Sequence, residues 1–177
     1  MNGGAADTDR TLVAGVGNIF LGDDGFGVET ARRLTEQQLP DDVDVVDIGI
    51  RGVHLAYQLL DGYDTLVLVD AVARGGEPGT LYLIEPGTPA TDAPASVPLD
   101  GHRMSPDAVL ALLDTLCAGT GATPPRQTFV VGCEPGCLDE GIGLSPQVAA
   151  AVPEAVRMVM DLVRHEAPTN TLTRRTP

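Results

Sequence analysis

The order of apolar and polar positions along the chain predicts short buried strands that alternate with amphipathic helices. Mainly apolar runs predict five strands, at residues 11–16, 43–46, 65–69, 79–84 and 128–131. Apolar residues spaced three or four apart predict helices at 25–38, 53–60, 105–117 and 146–166. Strands with continuous apolar character, separated by helices, indicate an α/β fold with a mostly parallel sheet covered on both faces. The strand at 79–84 is the candidate for an antiparallel strand in this sheet.

The composition along the chain predicts one domain between two tails. A length of 177 residues suits a single domain. Both ends are small and polar, so we predict disordered tails at 1–9 and 167–177 and a domain at 10–166. Many Pro, Ala and Asp residues predict a long loop over 86–103.

Charge and cysteine usage narrow the class of protein. The formal net charge of −14 disfavours nucleic acid and anionic membranes as partners, and suits a cation, a basic surface or solubility alone. All eleven basic residues are Arg, which excludes a lysine nucleophile. The odd count of three cysteines and an N-terminus unlike a signal peptide argue against a secreted disulfide scaffold. No apolar run approaches the roughly 20 residues of a membrane span. We therefore expect a cytoplasmic protein.

Acidic residues follow three of the predicted strands. Asp24, Asp47 and Asp70 would converge on one edge of the sheet, where the carboxyl ends of parallel strands meet. His102 lies in the long loop, which could fold over that edge. Two carboxylates and one imidazole would make a metal site with open positions for substrate. Taken singly, Asp70 is equally explained as a loop or capping residue, and His102 as a structural histidine.

Two further patterns favour other chemistry only weakly. The glycine-rich stretch 15–27 follows a strand, as in dinucleotide-binding proteins, but the third glycine of that fingerprint is Phe20. Asp23 and Asp24 would also repel a pyrophosphate. Cys133 and Cys137 have a C-x3-C spacing, which differs from the C-x2-C of zinc and redox sites. We interpret one or both as incidental, with metal or redox chemistry as the alternative.

The chain resembles the hydrogenase maturation endopeptidases, peptidase family M52, from about residue 12 to residue 163. The resemblance rests on several motifs that occur in the family's order. They are GVGNIFLGDDGFG (15–27), DIGIRG (47–52), LVLVDA (66–71), GTLY (79–82), DGHRMSP (100–106), VGCEP (131–135) and GIGLSP (141–146).

The resemblance implies a three-layer α/β/α fold around a twisted five-strand sheet. It also implies an endopeptidase that removes a C-terminal extension from the nickel-loaded large subunit of a nickel–iron hydrogenase. The family's metal-contacting residues fall on Asp24, Asp70 and His102, and the substrate supplies the nickel. The Asp24 position is Glu in some members, and Asp47 matches another frequent acid.

Several alternatives stay open at this point. Nickel would polarise the scissile carbonyl or activate water, or else Asp24 or Asp47 would act as general base, as in an aspartyl protease. A non-catalytic nickel-delivery or interaction protein would carry the same residues. A Rossmann-type nucleotide-binding module is a more distant possibility.

Overall fold

The computed structural model describes residues 9–85 and 106–164, the latter without the side chains of 106–110. The strands are β1 (Thr11–Val16), β2 (Val43–Gly49), β3 (Thr65–Ala71), β4 (Leu81–Ile84) and β5 (Gln127–Cys133). The helices are α1 (Phe26–Leu34), α2 (Gly52–Leu59), α3 (Pro106–Thr120) and α4 (Pro146–Val163), and a 3-10 turn (Gly22–Gly25) precedes α1. No described helix combines the length and the apolar character needed to cross a membrane.

The five strands form one sheet in the order β2-β1-β3-β5-β4. The first three neighbouring pairs are parallel, and β4 runs antiparallel to β5. The predicted mostly parallel sheet is therefore confirmed, including its antiparallel strand.

Successive side chains of each strand point to opposite faces of the sheet, so the core consists of two apolar clusters, one on each face. Val13, Val67 and Val69 pack on the side that carries α1 and α4. Leu12 and Leu66 point the other way, toward α2 and α3. Because successive strand residues face opposite sides, a fully apolar strand needs helices on both faces. This packing makes the three-layer α/β/α arrangement.

The strand ends differ from the prediction. The strands β2, β3 and β5 continue for two or three residues beyond the predicted runs, so Asp47 and Asp70 lie within strands rather than after them. Asp47 is paired with Gly15, and Asp70 with Gly132. The reason is that a ladder depends on the neighbouring backbone and does not stop where apolar side chains stop.

The helix ends also differ. The first helix stops at Leu34 instead of 38, because the backbone N–H groups of Glu36 and Gln37 bond three residues back and tighten the chain into a turn. The helix α3 extends to Thr120, and α4 ends at Val163. The predicted loop 86–103 and nearly all of the two predicted tails fall outside the described residues, so the domain boundaries stay predictions.

A close backbone approach places the start of α1 against the strand ends. A Cβ atom built on Gly27 would lie 2.1 Å from the Val69 carbonyl oxygen and 2.3 Å from that of Val16. Only glycine leaves room for this contact. The 3-10 turn that precedes α1 is thereby held at the carboxyl edge of β1 and β3.

Candidate active site

The backbone of Asp24 and the side chain of Asp70 both lie against Gly17 at the carboxyl edge of the sheet. A Cβ atom built on Gly17 would lie 1.8 Å from the Asp24 carbonyl oxygen and 3.7 Å from Asp70 Oδ1. Gly17 has φ +135°, a conformation that other residues rarely adopt. The first strand is therefore followed by a residue small enough for both aspartates to approach it.

Local backbone groups orient both carboxylates. The Asn18 N–H donates to Asp24 Oδ2 at 2.8 Å, and the Ala71 N–H donates to Asp70 Oδ1 at 2.8 Å. Asp70 is only 8% exposed, and Asp24 is half-buried. A pair of oriented, partly desolvated carboxylates supplies oxygen ligands for a cation.

The predicted three-residue site is described in part. The structure brings Asp24 and Asp70 to one edge, whereas His102 lies outside the described residues, so its place stays a prediction. Within 9–85 and 111–164, no three His, Cys, Asp or Glu side chains form a group that could hold a metal ion. The two carboxylates fit nickel only if an imidazole, for which His102 is the predicted source, completes the set of ligands.

Asp47 lies at the same edge, on the far side of β1 from Asp70. It is paired with Gly15, which on its other side is paired with Val69. Its side chain is exposed, and a Cβ atom on Gly49 would lie 3.8 Å from both Asp47 Oδ1 and the Gly17 carbonyl oxygen. Asp47 thus lies near Asp24 and Asp70, and its side chain is more exposed than either of theirs.

Sequence reasoning missed the role of Asp23, which is fully buried. Its carboxylate accepts hydrogen bonds from the N–H groups of Gly136 and Cys137, each at 2.8 Å. It also accepts from the N–H of Ser145 at 2.6 Å and from the Ser145 hydroxyl at 2.8 Å. We call these four bonds the Asp23 network. It ties the segment between β5 and α4 to the turn that carries Asp24.

The Asp23 network also controls the charge of that carboxyl group. Burial alone raises the pKa of Asp23, but the N–H donors of Ser145 and Cys137, with the Ser145 hydroxyl and the Gly136 N–H, bring the pKa below its usual range. Asp23 is therefore an ionised structural residue at neutral pH. The sequence held no signal for this role, because the donors lie more than a hundred residues later in the chain.

A second buried acid, Glu134, was missed in the same way. It accepts hydrogen bonds from the Arg74 N–H and the Tyr82 hydroxyl, each at 2.8 Å, and from the Gly75 N–H at 3.2 Å. Burial raises the pKa of Glu134, but these donors lower it overall. Burial and then the bond to Glu134 raise the pKa of Tyr82 to about 12. Glu134 fixes the segment that follows Asp70 to β4.

The turn before α1 has little capacity to bind a pyrophosphate. The Gly22 N–H donates to the Gly141 carbonyl at 2.9 Å, and the Asp23 N–H donates to that of Cys137 at 2.8 Å. The Asp24 N–H donates to the Leu21 carbonyl at 3.1 Å. A phosphate site at this position needs such N–H groups to face the ligand. This geometry argues against the nucleotide-binding interpretation.

Cys133 and Cys137 differ sharply in their surroundings, and neither forms a disulfide. Cys133 is fully buried, and burial, followed by the charges of Asp23 and Glu134, raises the pKa of its thiol to about 12. Cys137 is exposed. A thiol held in its protonated form is a poor nucleophile and a poor metal ligand.

We expect a maleimide reagent at neutral pH to modify Cys137 quickly and Cys133 only after unfolding. Peptide mass spectrometry with and without urea would assign each label, because Cys117 is also a buried free thiol and an intact mass would not distinguish it from Cys133. In Cys137→Ser the fast step should disappear. Rapid labelling of Cys133 in the native protein would contradict the buried assignment.

Comparisons with known proteins show the family to which this chain belongs. The family model described as hydrogenase maturation protease matches residues 28–162. The hydrogenase 2 maturation protease of Escherichia coli K12 is 35% identical over 159 residues, which cover 88% of this chain and 91% of that protein.

Solved structures give the same result. The hydrogenase maturating endopeptidase HybD from E. coli is similar with a TM-score of 0.69 and 31% identity, over 88% of this chain and 93% of that chain. A hydrogenase 2 maturation peptidase from Thaumarchaeota archaeon SCGC_AB-539-E09 is similar with a TM-score of 0.65 and 30% identity. The match covers 89% of this chain and 99% of that chain. This chain belongs to the hydrogenase maturation protease family and is a hydrolase.

Proposed function

We propose that this protease removes a C-terminal extension from the nickel-loaded precursor of a hydrogenase large subunit. The observation that carries the proposal is that the Asp24 carbonyl oxygen and Asp70 Oδ1 both lie against the same residue, Gly17. Both carboxylates are oriented by backbone N–H groups at 2.8 Å. The nickel belongs to the substrate, and the two carboxylates together with His102 would complete its coordination.

This arrangement explains how the protease would distinguish loaded from unloaded precursor. Without the cation, nothing draws Asp24, Asp70 and His102 to one point of the substrate. With it, docking places the scissile bond beside the carboxylates, and such positioning supplies a large part of a rate enhancement. The net charge of −14 further favours a partner that carries a cation.

Two routes for the hydrolytic step are consistent with these residues. In the first, the substrate's nickel polarises the scissile carbonyl or activates water. In the second, Asp24 or Asp47 takes the proton from the attacking water as general base. The three free thiols support a reducing compartment, the cytoplasm, as the place of the reaction.

The proposal is tested by mixing the purified chain with nickel-loaded and nickel-free large-subunit precursor. We expect the mass of the loaded precursor to fall by its C-terminal extension, and the nickel-free precursor to stay intact. Intact-protein mass spectrometry gives the readout. Tight nickel binding by the isolated chain without any cleavage would contradict the proposal and favour a nickel-delivery protein.

A further inference from the structure

The large apolar side chains exposed at the edge that carries Asp24 include those of Phe20 and Ile142. Phe20 is 60% exposed and Ile142 is 80% exposed. Each belongs to a motif, residues 15–27 or 141–146, whose apolar members have no part in the proposed chemistry. Exposed apolar side chains gathered at one place mark interaction sites more often than single scattered ones do.

Backbone hydrogen bonds bring these residues together. The Gly141 N–H donates to the Phe20 carbonyl at 2.9 Å, and the Gly22 N–H donates to the Gly141 carbonyl at 2.9 Å. Leu21 and Gly141 form an isolated parallel bridge. Ile142 therefore follows directly after the residue that is bonded to Phe20. We call these two exposed side chains the Phe20–Ile142 surface.

The Phe20–Ile142 surface adjoins the proposed nickel-contacting residue. Asn18 Oδ1 accepts a hydrogen bond from the Phe20 N–H at 2.9 Å, while the Asn18 N–H donates to Asp24 Oδ2 at 2.8 Å. A single residue, Asn18, thus links the backbone of Phe20 to the Asp24 carboxylate. A protein segment that contacts Phe20 would therefore reach the loop that holds Asp24.

Charge indicates what that segment contains. Asp139 and Glu140 are exposed and come immediately before the residues that form the surface. An apolar patch bordered by carboxylates is complementary to apolar side chains flanked by Lys or Arg.

We propose that the Phe20–Ile142 surface is the docking site for an apolar segment, flanked by basic residues, of the hydrogenase precursor. The choice of partner rests on the proposed function. Docking at this surface would bind the precursor whether or not it carries nickel. The carboxylates of Asp24 and Asp70 would then contact the metal only in the nickel-loaded precursor. The surface thus accounts for affinity, and the aspartates account for cleavage.

The test compares Phe20→Ser and Ile142→Ser, singly and together, with Leu83→Ser as a matched control. Leu83 is 40% exposed and lies on the edge strand β4, three places from β1 in the sheet order. Substitutions at exposed positions usually change stability by about 0.5 kcal/mol or less, so all variants should fold. Thermal unfolding of each variant would verify this.

The first measurement is the dissociation constant for nickel-free precursor, which is bound but not cleaved. We expect the double variant to raise this constant about tenfold, since a few well-packed residues carry most of the binding energy of an interface. The Leu83→Ser variant should match the wild type. In the cleavage assay with loaded precursor, the double variant should raise KM and leave kcat nearly unchanged. Asp139→Asn with Glu140→Gln should weaken the salt dependence of binding.

Binding that is unchanged in the double variant would overturn the proposal, even if cleavage occurs as proposed. A dimer in sedimentation experiments that the double variant disrupts, with precursor binding unaffected, would assign the surface to a second copy of the chain and overturn it too. Loss of precursor binding in the double variant would support it, even if the wild type cleaved nothing.

Discussion

Replacing Asp70 by Asn should reduce kcat/KM for nickel-loaded precursor on the order of a hundredfold to a thousandfold, the usual effect of removing one charge-stabilising group. The amide oxygen can still accept the Ala71 N–H bond that holds Asp70 Oδ1 at 2.8 Å, so the fold should be retained. What is lost is the negative charge at a site that is 8% exposed, where water compensates poorly.

The measurement is a time course of precursor cleavage followed by mass spectrometry, together with thermal unfolding of the variant. Asp114→Asn is a suitable control, because Asp114 is an exposed aspartate on α3. Asp70→Ala, which removes the side chain altogether, should be at least as slow as Asp70→Asn. Processing at the wild-type speed by either Asp70 variant would remove Asp70 from the proposed mechanism.

Replacing Asp23 by Ala should reduce the free energy of unfolding by about 4 kcal/mol, a large effect that is typical of breaking a buried polar network. The substitution leaves three backbone N–H groups and one hydroxyl without their acceptor. Urea denaturation at neutral pH would measure the loss. Ser145→Ala, which removes one of the four bonds, should cost about 1 kcal/mol.

The Asp23 network also predicts how the loss of stability in Asp23→Ala depends on pH. The folded-state pKa of Asp23 is lowered from its ordinary value of 3.8, so its stabilising contribution is fully present above that value. It is lost as the pH falls through the folded-state pKa. The difference in stability between the wild type and Asp23→Ala should therefore be constant near neutral pH and shrink in strong acid. A difference that grows on acidification would contradict this assignment.

The hydrophobic pattern was sufficient to predict the architecture. Runs such as Thr65–Val69 are apolar on both sides of the strand, and such a strand is stable only between two layers of helices. This argument gave the mostly parallel sheet and the common edge on which Asp24 and Asp70 lie, and it left β4 only as a candidate for an antiparallel strand. It was less accurate for the ends of strands, because hydrogen bonding to a neighbouring backbone extends β3 through Asp70.

The different roles of Asp23 and Asp24 were decided by tertiary structure alone. They are adjacent, identical in type and carried by one short turn, so no local pattern distinguishes them. Asp23 is buried because Gly136, Cys137 and Ser145, more than a hundred residues later in the chain, direct their donors at it.

What the sequence by itself determined was the layer order, the edge of the sheet where the carboxylates gather and the kinship with a protease family. These follow from periodicities and short motifs, which are local properties of the chain. Only the tertiary structure decided which acids are structural and how Phe20 comes beside Gly141, because those facts depend on contacts between distant segments.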